Sequence, residues 1–411
     1  MTNTNHFFKK TVRDIDPKGI VVLVRADYNV PLTGDGKIAD DFRIRASLPT
    51  LKYLHDRGAT IVVISHLGRP EGPSDTKFSL EQVATRLAEL LDHKVTFVPE
   101  CTGDTVKQAV KQAPAHGILL LENLRFHKEE EANDEAFAKY IAKSTGARFF
   151  VQDGFGVVHR AHASTDAITH YIPSVAGLLL EREHTQIMSA ITTPKRPLVA
   201  ILGGAKVSDK VPVIERLVDL ADTIVVGGAM ANTFLAYKGH KMGASKIESV
   251  DPILSAIYHK AARKVGMDHI DEFIQLPTDV VVGKSVNDAS PKTVSVAHVV
   301  DGEMALDIGP VTAERFAGEL ARANTILWNG TLGYAEKSAY EAGSDRVAAA
   351  VLENKAAASI VGGGDTADFA LHYVEKHSEA GKFTHVSTGG GASLELMSGE
   401  KLPGIEALLD A

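Results

Sequence analysis

Short apolar runs, most of them rich in β-branched residues, recur along this 411-residue chain, and each ends in a polar or glycine-rich turn. They read GIVVLVRADYN, ATIVVISHLGRP, GILLLENLRF, RFFVQDGFG, PLVAILGGAKV, DTIVVGGAM, NTILWNGT, SIVGGGDT and THVSTGGG. Between most of them lie stretches of helical spacing. The clearest is SLEQVATRLAELLDH, with Leu80, Val83, Leu87, Leu90 and Leu91 on one stripe and Ser79 and Gln82 at capping-box spacing. Such alternation predicts mainly parallel sheets covered by helices on both faces. One open sheet of so many strands would be unusually wide, and the chain is longer than a single core usually organises. The prediction is therefore two Rossmann-like, three-layer α/β/α domains. YIPSVAGLLLEREHTQIMSAITTPKRP, residues 171–197, lies between Pro173 and the Pro194 to Pro197 stretch and predicts a connecting helix over 173–193. That leaves domains at 1–172 and 194–399.

The formal charge of -8 argues against a general binder of nucleic acid or membrane surfaces, which needs a net basic face. Cys101 is the only cysteine, so neither an intrachain disulfide nor a cysteine-based zinc framework is available, and a buried inert thiol is expected. MTNTNHFFKK lacks the apolar core of a signal peptide, and no apolar run approaches the roughly 20 residues that span a bilayer. A cytoplasmic protein with small-molecule partners is expected.

In open α/β sheets ligands bind beyond the carboxyl ends of the strands, so the residues just after each apolar run carry the information. In the first half these are Asp27 and Asn29, His66 and Arg69, Arg125, then His159, Arg160 and His162, with Arg43 where a helix should begin. Cations and amides converging from separate strands suit a small, multiply charged anion, because guanidinium forks match phosphate and carboxylate oxygens. In the second half the strand ends are mostly glycine: Gly203 and Gly204, Gly227 and Gly228, Gly330, Gly362 to Gly364, and Gly389 to Gly391. Glycine permits close approach of backbone to ligand, and a following helix N-terminus binds phosphate. Lys206 and Lys210 would share one face at a helix start. Asp365 reads either as an Mg2+ ligand beside nucleotide phosphates or as a helix N-cap. Neither GxxxxGK[ST] nor GxGxxG occurs, which excludes a P-loop and a fingerprint dinucleotide fold.

Together RADYNVPL, SHLGRP, ENLRF, HRAHAS, LGGAKVSDK, WNGTLGYAE, GGGDTA and STGGGASLE resemble the phosphoglycerate kinase family, in order and spacing over essentially the whole chain. The resemblance implies two domains facing each other across a cleft, with the tail 400–411 returning to the first. It implies reversible Mg2+-dependent phosphoryl transfer between 1,3-bisphosphoglycerate and ADP, giving 3-phosphoglycerate and ATP, by a monomer that closes about a hinge. Carried onto matching positions, the acid-binding residues are Asp27, Asn29, Arg43, His66, Arg69, Arg125 and Arg160. The nucleotide-side residues are Gly204, Lys206, Lys210, Gly228, Asn329, Glu336, Gly364, Asp365 and Thr366, with Asp365 on the metal. Arg43, Lys210 and the N–H groups of Gly390 and Gly391 are expected to neutralise charge on the group in transit. The chain departs from the family pattern at Thr331, where proline is usual, at Ala229, and at Tyr334 and Ala335, where Val-Phe is usual. A nicotinamide-dependent dehydrogenase and a non-catalytic anion receptor are the alternative readings. The first lacks its fingerprint and the second its signal peptide.

Overall fold

A computed structural model describes residues 7–411; the start of the N-terminal stretch discussed above lies outside them. The chain divides into two units. One runs to Thr185 and takes in Lys401–Ala411, and the other is Gln186–Glu400.

The first unit is built on β1 (Val21–Arg25), β2 (Thr60–Ile64), β3 (Val95–Val98), β4 (Ile118–Leu121), β5 (Phe149–Gln152) and β6 (Ser174–Ala176). They form one parallel sheet in the order β3-β4-β2-β1-β5-β6. Side chains alternate between the faces of a strand, and here both faces are apolar. Val22 and Val24 join Ile61, Val63 and Leu120 in one core beneath the helices Phe42–Asp56 and Glu81–Leu91. Leu23 joins Val62, Ile64 and Leu119 in another beneath Gly103–Gln112 and Glu135–Thr145. Each fully buried Val, Leu or Ile contributes about 1.5–3 kcal/mol. Cys101 is buried, its thiol donating to the Glu122 carbonyl at 2.9 Å, and burial holds it well above the usual thiol range.

The second unit has β7 (Leu198–Leu202), β8 (Thr223–Val226) and β9 (Ile274–Gln275), then β10 (Asp279–Gly283), β11 (Lys292–Ser295) and β12 (Met304–Ile308), then β13 (Thr325–Asn329), β14 (Ala358–Gly362) and β15 (His385–Val386). Its main sheet is parallel, in the order β15-β14-β13-β7-β8-β9. The middle three strands form a separate antiparallel sheet, β11-β10-β12. That small sheet was not foreseen. Two of its strands, VVVG and KTVS, lack the long apolar run that marks the others.

Two local expectations are corrected. Residues 174–176, read as the start of the connecting helix, form the edge strand β6, and the helix is Leu178–Thr192. Gly177 separates the two: a Cβ there would lie 1.9 Å from an Asp153 carboxylate oxygen. The capping box at Ser79 does not form either. The Ser79 hydroxyl donates to Glu122 and the Gln82 amide to the Gly36 carbonyl, so stronger partners elsewhere take both groups.

Candidate active site

At the carboxyl edge of the first sheet, Arg25 ends β1 as a charge with almost no exposure. A buried guanidinium needs full satisfaction. It donates to the Ala26 carbonyl, to the Ser164 hydroxyl at 2.8 Å and to Nδ1 of His66 at 3.2 Å, and it faces Glu130 at 3.8 Å. Guanidinium has no acceptor, so Nδ1 of His66 accepts and the ring proton sits on Nε2 as a donor. Burial, then the charges of Arg25, Arg125 and Arg43, hold His66 well below its usual pKa, so the ring is neutral. Burial, then Arg25 and Arg125, also pushes His162 down to about 4.

Arg43, the second residue of the helix Phe42–Asp56, donates to Asp27 at 2.8 Å. Asn29 accepts from the Gly68 amide at 2.8 Å, and Arg125 donates to the Gly68 carbonyl at 2.8 Å while pairing with Glu131 at 3.2 Å. Gly68 needs to be glycine, with φ at 62° and the Phe78 ring 2.3 Å from any Cβ. With the Asn29 amide donating to Asp27 at 3.1 Å, Asp27, Asn29, Arg43 and Arg125 form one linked group, and His66, bonded to Arg25, lies within reach of the Arg125 and Arg43 charges. Arg69 projects exposed from the Gly68 loop, and Arg160 is exposed, its charge felt by Arg125, His159 and His162.

In the second unit the glycines fall into two kinds. The loops after β7, β8 and β13 interlock: Gly204 donates to the Thr331 carbonyl, Gly203 to that of Asn329 and Gly228 to that of Leu332. A Cβ on Gly203 would lie 2.1 Å from the Thr331 carbonyl oxygen, and one on Gly228 2.8 Å from the Gly204 amide. These glycines let the three loops pack backbone against backbone at the sheet edge. Gly364 and Gly390 are different, with nothing within 4 Å of an added Cβ. They begin or cap the helices Gly364–Lys376 and Gly391–Ser398, whose first N–H groups lack intrahelical acceptors. Ser393 ties the two turns, donating to the Gly390 carbonyl and accepting from the Gly363 amide.

Lys206 and Lys210 do not share a helical face. Pro212 sets the helix start at Val211, so Lys206 lies in an exposed turn while Lys210 folds back onto the Gly203 carbonyl at 2.9 Å. Burial pushes Lys210 down to about 8, opposed by the nearby charges of Asp365 and Asp209. Asn329 is buried, its amide donating to the Gly362 carbonyl and its Oδ1 without a partner. The Thr366 hydroxyl accepts from the Gly330 amide at 2.7 Å. The N-cap of the helix bearing Asp365 is Gly363, which rules out the N-cap reading and leaves the Asp365 carboxylate exposed in the first turn. Asp365 and Glu336 line a cavity of about 440 Å³ together with Thr331 and Ala335. No group of three potential metal ligands occurs among the described residues. A single carboxylate suits Mg2+, which is commonly held by one or two carboxylates plus substrate phosphates.

Sequence reasoning missed Arg25, Glu130 and Glu248. An arginine closing an apolar strand was a usable signal for the first. Glu248 accepts from the Val207 and Ser208 amides and the Ser208 hydroxyl, fixing the turn that carries Lys206, and nothing in its neighbourhood in sequence marks that.

Residues 12–400 match the family model described as phosphoglycerate kinase. The chain belongs to the phosphoglycerate kinase family. It is 46% identical over 404 residues to the phosphoglycerate kinase of Moorella thermoacetica, covering 98% of this chain and 99% of the relative. To the cytosolic phosphoglycerate kinase of Triticum aestivum it is 45% identical over 405 residues, covering 98% of each. A solved phosphoglycerate kinase from Coxiella burnetii superposes with a TM-score of 0.82 at 35% identity, covering 97% of this chain and 98% of that one. One from Pyrococcus horikoshii gives 0.83 at 30%, covering 98% of each. As a phosphoglycerate kinase family member the chain is a phosphotransferase with a carboxyl group as acceptor. No described helix is long and apolar enough to cross a membrane.

Proposed function

We propose that the chain transfers a phosphoryl group reversibly between 1,3-bisphosphoglycerate and ADP, binding the acid on the first unit and MgADP or MgATP on the second. The observation that carries this reading is the division of recognition chemistry: clustered cationic side chains end one parallel sheet, and open helix starts with Lys210 end the other. Arg43, Arg125, Arg160, Arg69 and His66 hold the carboxylate and phosphate of the acid, with Asp27 and Asn29 fixing Arg43 and the Gly68 loop. Gly204, Lys206, Gly228, Asn329, Glu336, Gly364 and Thr366 hold the nucleotide.

In the direction of ATP synthesis, a terminal β-phosphate oxygen of ADP attacks phosphorus in line. The bond to the acyl oxygen breaks, and the electron pair leaves with the carboxylate. Such a loose transition state asks for positioning and for charge neutralisation on the equatorial oxygens. Arg43 and Lys210 supply that charge, and the N–H groups at Gly390 and Gly391 supply donors. Asp365 would hold Mg2+, which neutralises nucleotide phosphate charge when bound. Bringing the two substrates within reach requires hinge closure of a monomer about the segment around Leu178–Thr192. A coupled assay with 3-phosphoglycerate and MgATP tests the reaction: turnover that needs both substrates and the metal is expected, and no turnover with all of them present, or turnover that persists without the acid, would overturn it. Scattering with both substrates bound tests closure, for which compaction is expected.

A further inference from the structure

The helix Phe42–Asp56 carries a polar seam along one otherwise apolar face. Arg43, Ser47 and Thr50 are spaced i, i+4 and i+7, so they stack on one side of the helix. Arg43 donates to Asp27 at 2.8 Å, the Ser47 and Tyr28 hydroxyls pair at 2.9 Å, and the Thr50 hydroxyl donates to Asp153 Oδ1 at 2.7 Å. Ser47, Thr50, Tyr28 and Asp153 are all buried. At the far end, Thr50 also accepts from the Leu178 amide at 2.9 Å, and Asp153 Oδ1 accepts from the Leu179 amide at 3.0 Å. Those are the first two amides of the helix Leu178–Thr192, which carries the chain from the first unit into the second. Pro49 interrupts the backbone ladder between Ser47 and Thr50, a point where a helix bends with little resistance.

The node is tightly made. Gly177 leaves no room for a Cβ beside Asp153 Oδ1, while Oδ2 is buried without a partner. Burial pushes this carboxyl up to about 7, opposed by the hydrogen bonds from Thr50 and the Leu179 amide. An apolar contact would hold these elements together more cheaply than an incompletely satisfied buried carboxylate. Its presence calls for a role beyond packing.

We propose that Thr50 and Asp153 are positioning residues for phosphoryl transfer, joining the helix that bears Arg43 to the first amides of the connecting helix, so that an anion held at Arg43 is registered at the joint. The proposal rests on the acid-substrate reading of the first unit. Neither residue touches substrate, so their loss acts on the step that follows binding.

Thr50→Val and Asp153→Asn are the tests, with Thr50→Ser as the conservative control that keeps the hydroxyl. For Thr50→Val and Asp153→Asn, kcat is expected to fall about tenfold while the dissociation constants of 3-phosphoglycerate and MgADP stay within about twofold, because geometry and not binding is lost. Thr50→Ser should recover most of kcat. Full kcat in folded Thr50→Val and Asp153→Asn would overturn the proposal, as would equal losses in Thr50→Ser and Thr50→Val. Should a variant fail to fold, hydrogen exchange on the unaltered protein decides: protection of the Leu178 and Leu179 amides is expected to change when 3-phosphoglycerate alone is added. Unchanged protection in an enzyme that turns over would overturn the inference and leave the function standing. Absence of turnover would instead remove the reading beneath it.

Discussion

The two units share an architecture, a six-stranded parallel sheet with helices on it, yet they end their strands in opposite chemistries. In the first unit the strand ends are charged side chains wired to one another: Arg25 to His66 and Glu130, Arg43 to Asp27, Arg125 to Gly68 and Glu131. In the second they are backbone, with interlocked glycine loops and two helix starts left open. Side-chain recognition suits a small anion that must be gripped from several directions. Backbone recognition suits a phosphate chain lying along loops, where N–H groups add donors without adding repulsive charge. One fold hosts both because the sheet edge fixes position and leaves the choice of group to a few residues.

The sharpest way to break this comparison is at Lys210, the half-buried cation of the backbone-dominated unit. Lys210→Ala is expected to lower kcat by about 10²–10³-fold with MgADP affinity largely kept, since its charge is needed most in the transition state. Unchanged turnover would remove the role. The pH profile adds a second handle: Lys210 loses its proton as pH rises through about 8, so turnover at limiting nucleotide should decline above that pH. Lys210→Arg should flatten the decline, because guanidinium stays charged.

Arg160→Ala tests the side-chain unit. Acid binding, measured by calorimetry, should weaken about 10- to 100-fold with nucleotide affinity unchanged, one to two charge-assisted contacts being lost. Lost ADP affinity instead would reverse the assignment of the units. Smaller again is the contrast between glycines. Gly203→Ala should destabilise by about 1–3 kcal/mol in denaturant unfolding, because its Cβ meets the Thr331 carbonyl, whereas Gly364→Ala should leave stability nearly unchanged and weaken nucleotide binding. A pH-dependent effect concerns Asp153. Its carboxyl titrates near 7 when folded and near 3.8 when unfolded, so the folded state binds more protons between those values. That contribution to stability is complete below about 4 and is lost as pH rises through 7. The melting temperature of Asp153→Asn relative to the unaltered protein should therefore rise from pH 5 to pH 8.

Much of this was legible in the sequence, for identifiable reasons. Parallel strands buried on both faces leave continuous apolar runs, so β1, β2, β7 and β13 stood out, and the residues after them named the linked group from Asp27 to Arg125. What escaped depended on contacts between distant segments. In the antiparallel sheet β10 to β12, KTVS is mostly exposed along its length, and MALDI interrupts its apolar residues with Asp307. The sequence does not reveal which backbone the glycines at 203, 228 and 330 each meet, so their loop-against-loop packing was not legible. Lys206 and Lys210 were separated by a proline whose effect on the helix start outweighed their spacing.

The central claim is the division of labour between the units, and ligand footprinting by hydrogen exchange tests it most directly. With 3-phosphoglycerate alone, protection is expected to rise around 27–29, 66–69 and 158–162, and with MgADP alone around 203–210, 363–366 and 389–392. Exchanged footprints, or both ligands protecting the same segments, would contradict it.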